Sequence, residues 1–366
     1  MRTIWRYMTS DRVFLVAFIL AVVAILFGQF AVGDINFNVI FTLFGMMLVL
    51  ALFEASGFLR YAAILLIEKS KDTRQLIQII TLVSFIGSTL LSNDVVTLTI
   101  LPLYCRILMT IKSFKGRILG ATLIPLAANL GGLIFPFSNP QNLVIYDFFQ
   151  MDGGTFIRWT LPLWLVSLPI LYFLTLFVEK ADAASSLKQQ GISRHLAIYG
   201  VILMLLMVAS VFGVLKLSMA FPIVAIAVLM INYHLYRGVD YRLLLTFVCF
   251  FIIVGNISRL ETIQTFLERW VIGPYSTYFV SFLSSQVVSN VPTAILLTPF
   301  TDNIQALLLG VNIGGLGTLI ASLTNLLGYN IISKMDKPFR KRYLTIFLGV
   351  NFAVAVVLTL VFLPFI

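Results

Sequence analysis

Two apolar stretches, 76–110 and 276–307, are each too long for one membrane crossing, and each is cut in half by a polar pair, Ser92-Asn93 and Ser289-Asn290. No other feature narrows the fold so far. Hydrocarbon offers an interrupted backbone no hydrogen-bond partner, so each break must be buried in protein or line a polar cavity. Each stretch is therefore expected to enter and leave on one side as a re-entrant hairpin, with its tip at membrane depth.

The rest of the chain suits that environment. Hydrophobic residues make up 60% and charged residues 11%, against about a quarter charged in a soluble domain. Apolar runs predict continuous helices near 13–32, 39–57, 159–178, 196–214, 219–236, 243–258 and 344–363. Two further crossings, 118–148 and 310–332, are interrupted by Gly, Pro and polar residues. The alternating ten-residue segments of a β-barrel are not visible. The expected fold is an all-α polytopic membrane protein of about nine crossings plus two hairpins, with a cytoplasmic N-terminus.

The net charge of +10 does not point to nucleic acid, because the basic residues sit in short clusters between apolar runs. With the N-terminus inside, all but four of the 25 Lys and Arg fall in cytoplasmic segments, among them Arg2, Arg6, Lys112, Lys188 and Arg242. Only Arg158, Lys216, Arg259 and Arg269 fall outside. No cleavable signal peptide is expected, since Arg2, Arg6 and Arg12 lead into a run of full spanning length. The two cysteines, Cys105 and Cys249, are isolated in apolar surroundings and suggest neither a disulfide nor a metal site.

The same topology opens the first hairpin to the cytoplasm and the second to the outside, so the halves are inverted. Residue matches point the same way. Ser92-Asn93 aligns with Ser289-Asn290 at an offset of 197, which also pairs Pro102 with Pro299. Asn129-Leu130-Gly131-Gly132-Leu133 aligns with Asn312-Ile313-Gly314-Gly315-Leu316 at an offset of 183, which pairs Asn142 with Asn325. The expected organisation is repeat 1 over 1–178, a loop and linking helix over 179–218, and repeat 2 over 219–366. Amphipathic stretches 59–74 and 260–273 read as interfacial helices.

Paired, interrupted segments at matching positions of inverted halves mark a transporter's midplane site. A half-helix N-terminus presents unpaired N–H groups and partial positive charge, suited to an anion. The candidate binding residues on the first tip are Ser92, Asn93, Asp94 and Thr97, and on the second Ser289, Asn290 and Thr293. Ser, Asn and Asp are also strong N-caps, so capping of the returning arm is the bland reading of both tips. The first break, Phe135 to Asn142, adds Ser138, Asn139 and Asn142; its two prolines forbid regular helix bonding. The second adds Thr318, Ser322 and Asn325. None of these is Lys or Arg, so cargo charge is expected to meet dipoles and a co-bound cation. The diglycines serve close helix packing or ligand contact alike. Asp94 is the expected seat of proton or Na⁺ coupling.

These residues carry a resemblance. Ser92-Asn93-Asp94, Ser138 to Asn142, Ser285 to Pro292 and the Asn312 to Asn325 segment resemble the ion transporter superfamily over nearly the whole chain. Within it the chain is similar to citrate-transporter-like permeases, relatives of the arsenical-pump membrane proteins. It looks more distantly like divalent-anion/sodium symporters, whose Ser-Asn-Thr tips hold Na⁺ and substrate carboxylate. The resemblance implies an elevator mechanism and a homodimer in the bacterial inner membrane, and Na⁺ at Asn93 and Asn290. The Thr of that tip is here Asp94 in one half and Val291 in the other.

The leading expectation is secondary transport of a small anion or oxyanion, carboxylate or arsenite-like, coupled to H⁺ or Na⁺ and without a cofactor. A Na⁺/H⁺ antiporter and a channel are the alternatives. An intramembrane enzyme is the weakest reading, since no His-Glu-x-x-His or Gly-x-Ser-x-Gly motif is present.

Overall fold

A computed structural model describes residues 12–111, 113–182 and 191–366. Arg2, Arg6, Lys112 and Lys188 of the charge argument lie outside the described residues. The described chain is helical, with no strand beyond an isolated bridge between Asp72 and Asp182.

Helices α1 (Arg12–Phe27), α2 (Phe37–Ser56) and α3 (Phe58–Ile67) come first. Helix α1 stops short of the expected residue 32 for a local reason. The Asn256 side chain takes over the backbone there, accepting from Gln29 N at 2.9 Å and donating to Gln29 O at 3.0 Å. Gly28 is needed beneath it, because a Cβ would lie 2.1 Å from Asn256 Oδ1. Helix α2 is capped by Asn36, which accepts from Val39 N, and ends at Gly57 in the left-handed region.

The first cut stretch forms α4 (Thr73–Leu90) and α5 (Asn93–Thr110), and the first interrupted crossing forms α6 (Arg117–Gly131), a 3₁₀ turn at Pro136–Ser138 and α7 (Pro140–Phe148). Four helices follow: α8 (Gly153–Thr175), α9 (Arg194–Val211), α10 (Leu217–Asn232) and α11 (Tyr241–Ile257). The exposed helix α12 (Glu261–Trp270) turns 102° away from α11. The second stretch forms α13 (Pro274–Val288) and α14 (Asn290–Leu297). The second interrupted crossing forms α15 (Ile304–Gly314) and α16 (Leu323–Ile332), and α17 (Lys337–Phe362) closes the chain.

Among the described residues, five helical segments are long and apolar enough to cross a bilayer unaided: Phe37–Ser56, Gly153–Thr175, Arg194–Val211, Leu217–Gly238 and Lys337–Phe365. Several expose large apolar side chains, such as Leu205 at 63% and Met230 at 81%. Water would penalise such a surface and lipid does not, so the chain is an all-α polytopic membrane protein.

The interior is built from the cut and interrupted elements. Helix α4 lies against α6 so closely that a Cβ at Gly131 would sit 2.0 Å from Phe85 O. Helix α13 meets α15 in the same way, with Phe282 Cα 2.9 Å from a Cβ at Gly314. Both glycines therefore serve backbone-to-backbone packing. The second glycine of each pair faces an amide instead: Cβ atoms at Gly132 and Gly315 would lie 2.5 Å from Asn139 Oδ1 and 2.6 Å from Asn290 Nδ2.

Candidate functional site

At the first tip, Ser92 caps α5 by accepting from Val95 N at 3.4 Å. Capping therefore falls to Ser92, and the two residues after it turn to other partners. Buried Asn93 donates from Nδ2 to Asn129 Oδ1 at 3.1 Å, while Asp94 Oδ1 accepts from the Thr324 hydroxyl on α16. One turn on, the Thr97 hydroxyl is buried without a hydrogen-bond partner among the described residues.

The second tip is built differently. Ser289 has φ 78° and ψ 153°, a conformation that a residue with a side chain rarely adopts, and its side chain does not cap α14. Its hydroxyl points to Ala321 O at 3.4 Å, and Asn290 N donates to the same oxygen at 2.9 Å. The Asn290 side chain is buried beside Gly315, and Thr293 donates back to Ser289 O at 2.8 Å. The bland reading, capping of the returning arm at both tips, thus fails at Ser289.

The breaks supply the facing groups. Ser138 donates to Thr89 O at 2.9 Å; Asn139 Oδ1 is buried without a hydrogen bond; Asn142 donates to Leu133 O at 3.3 Å. In the second break, which has no proline, Gln286 of α13 holds the chain open. It donates to Gly314 O and Leu316 O at 2.7 and 2.8 Å and accepts from Thr318 N at 2.9 Å. Thr318 donates from its hydroxyl to Gln286 O, and Gly317 adopts φ 106°. Asn325 donates to Gly315 O and Thr318 O, each at 3.0 Å.

Two asparagine pairs join the breaks. Asn129 Nδ2 donates to Asn325 Oδ1 at 2.8 Å, and Asn312 Nδ2 donates to Asn142 Oδ1 at 2.7 Å. Ser322 adds a bond to Asn129 Oδ1 at 3.1 Å, and Gln141 one to Asn312 Oδ1 at 3.0 Å. Helix α5 packs on α16 while α14 packs on α7, so each tip arm rests on the broken helix of the other half.

A cavity of about 650 Å³ reaches this assembly at Ser92 and Asp94. Its other walls carry Glu54, Asp240, Arg242 and Asn330. A second cavity of about 590 Å³ lies among Asn38, Tyr146, Asp147, Asp152 and Lys216, and touches neither tip. The first tip and second break thus meet through residues outside the expected set: Asn93 and Asn325 both bond Asn129, and Asp94 bonds Thr324. Ser138, Asn139 and Asn142 face the first half's own backbone and Asn312, and only Ser92 and Asp94 of the expected set border the larger cavity.

Sequence reasoning passed over Asn129 and Asn312 as repeat markers, although a buried carboxamide at matched positions was a usable signal. Gln141, Gln286 and Thr324 lay inside the segments singled out and were not chosen. Arg242 was counted only as a charge that orients the chain. It lines the same cavity as Ser92 and Asp94.

Known proteins bear on what such an arrangement does. Residues 8–310 match the family described as citrate transporter. The chain is 32% identical over 297 residues to an uncharacterized transporter of Methanocaldococcus jannaschii, with 80% of each chain covered. It is 27% identical over 337 residues to the inner membrane protein YbiR of Escherichia coli, covering 88% of each. A 46 kDa membrane protein of Mycobacterium leprae is 24% identical over 350 residues, 83% of this chain and 80% of that one. The chain belongs to the citrate transporter family and is a multi-pass membrane transporter.

Proposed function

We propose that this transporter carries a small anion or oxyanion, a carboxylate such as citrate or an arsenite-like species, by secondary active transport coupled to H⁺ or Na⁺. The observation that carries the reading is the cavity ending on Ser92 and Asp94, where a helix N-terminus meets buried amides and hydroxyls from both breaks. The partial positive charge of that helix terminus favours negative charge. Asp94 is the coupling group in this reading, with Ser92, Asn93, Thr97, Asn290 and Thr293 around cargo or ion. The halves are inverted repeats with re-entrant hairpins, the Asp94 cavity opens to the cytoplasm, and the tips and breaks move together as an elevator against α2 and α9 to α11. The carrier is a homodimer of the inner membrane.

A second reading has support of its own. The cavity lining holds three carboxylates, Glu54, Asp94 and Asp240, against one guanidinium, Arg242. That balance suits a cation, and Na⁺/H⁺ exchange through Asp94 would use it.

Flux in proteoliposomes decides between them. Citrate, phosphate and arsenite are offered under an imposed pH or Na⁺ gradient. Saturable uptake that follows one gradient and disappears in Asn93→Ala, Asn290→Ala and Asp94→Asn is the expected result. Proton movement on adding Na⁺ with no anion present would overturn the anion reading in favour of exchange. Linear, uncoupled flux would mean a channel.

A further inference from the structure

Helix α4 carries five side-chain hydroxyls, and four of them are bonded. Thr73 donates to Glu179 O, Ser84 to Ile80 O at 2.8 Å, Ser88 to Ala128 O at 2.6 Å and Thr89 to Gly131 O at 2.8 Å. Thr81 is the exception. The residue is only 4% exposed, and its hydroxyl has no hydrogen-bond partner among the described residues. It leaves unused even the Ile77 carbonyl one turn back, the bond by which a helical threonine commonly satisfies itself. A buried donor kept free in this way is costly unless a ligand takes it up.

Thr81 lines a groove of about 300 Å³ between α4 and α8, walled by Ile79, Leu82, Phe85, Leu168 and Leu171. Leu82 and Tyr172 on its edges are 49% and 57% exposed, so the groove opens on the surface that the bilayer covers. Among the described residues none that lines it is charged, and it reaches neither tip. Its polar end holds Gln75, Gln78 and Thr175, and Lys71, Asp72 and Arg74 just before Gln75 put that end at the membrane's edge. Thr81 lies about 9 Å further in along the helix, just past a headgroup zone of about 5–8 Å per leaflet. That is the depth of a lipid's ester carbonyls. Water would need two or more polar partners here, and beyond Gln78 the wall offers only the one hydroxyl. A neighbouring helix would bring carbonyls already bonded within itself. A diacyl lipid brings an acceptor that has no donor of its own, attached to a chain that suits the apolar walls.

We propose that the α4–α8 groove is a lipid seat, in which one acyl chain of a bilayer glycerophospholipid lies against Phe85 and Leu168 and the ester carbonyl of that chain accepts from Thr81 Oγ1. The seat stands on the first arm of the first hairpin, apart from the cavity at Asp94. It holds whatever the cargo proves to be.

The test uses the full-length carrier, delipidated in detergent and given palmitoyl-oleoyl phosphatidylethanolamine or its diether analogue, which lacks both ester carbonyls. Native mass spectrometry counts the lipid retained, and thermal unfolding follows its effect on stability. The wild type should retain one diester lipid per chain, bound about fivefold more tightly than the diether, the worth of one neutral hydrogen bond. Thr81→Val should bind the two lipids equally, at the level of the diether. Without lipid it should melt no lower than the wild type, since it removes an unsatisfied hydroxyl. Leu168→Trp, which fills the groove, should lose both lipids. Equal binding of diester and diether by the wild type overturns the proposal without any variant having to fold. So does a wild type that retains no lipid, or a Leu168→Trp variant that retains as much as the wild type.

Discussion

Replacing Asn129 by Leu should be among the most damaging single changes to the carrier's stability, although it swaps one buried side chain for another of similar size. The substitution deletes three hydrogen bonds: those from Asn93 Nδ2 and Ser322 Oγ to Asn129 Oδ1, and that from Asn129 Nδ2 to Asn325 Oδ1. Interhelical hydrogen bonds in a membrane protein average about 0.6 kcal/mol each, so the three together set a floor of about 2 kcal/mol. Stranding the three partner groups away from water raises this, at about 1 kcal/mol or more apiece, to an expected loss of about 3–5 kcal/mol. Asn351 provides the control. It is equally buried, but it donates only to Phe347 O within its own helix, and its Oδ1 has no partner among the described residues. Leu there removes an unsatisfied oxygen and should cost close to nothing. Reversible unfolding in mixed detergent micelles measures both. A double-mutant cycle with Asn325→Leu should give less than the sum of the single losses, because both remove the same bond. Equal losses at Asn129 and Asn351, or strict additivity with Asn325, would refute the claim that the amide bonds hold the two breaks together.

Ser289→Gly should raise the melting temperature, since glycine adopts φ 78° without the strain of about 1–3 kcal/mol that serine carries there; under the proposed function it should lower transport as well. A lower melting temperature would contradict the strain argument. Gly131→Ala should destabilise more than Gly314→Ala, because its methyl meets Phe85 O at 2.0 Å where the other meets Phe282 Cα at 2.9 Å, and thermal unfolding in detergent ranks them. Asn256→Leu should cost about 1–3 kcal/mol by removing both bonds to Gln29, and faster amide exchange at Gln29 would report the loss locally.

Much of this architecture is legible in the sequence because lipid leaves so few options for a polar break. Prolines 136 and 140 and the Ser92-Asn93 pair mark interruptions that the structure puts within a residue or two of the expected place. Helix ends at Gly57 and Asp240 follow from local backbone chemistry. What sequence does not carry is the choice of partner across hundreds of residues. Asn256 ends α1 from 227 positions away, and nothing near Phe27 announces it. Thr324 reaches Asp94 because α16 packs on the first tip's arm, and Arg242 lines the same cavity from the start of α11. The like sequences of the tips also conceal unlike backbones. Ser92 is extended and caps its helix, whereas Ser289 lies at positive φ and does not.

On the inverted-repeat reading proposed above, the paired asparagines have a consequence for ancestry. Each bond runs from the first asparagine of one half to the second of the other, Asn129 to Asn325 and Asn312 to Asn142. Two separate copies of a single half-length chain, set head to tail, would form the same two bonds with each other, and neither copy alone would form either. A polypeptide of that kind would have been obliged to pair with itself in opposed orientations before any fusion. Covalent linkage would then have left the two tips free to diverge, as Ser92 and Ser289 have, since after fusion a substitution in one half no longer appears in the other.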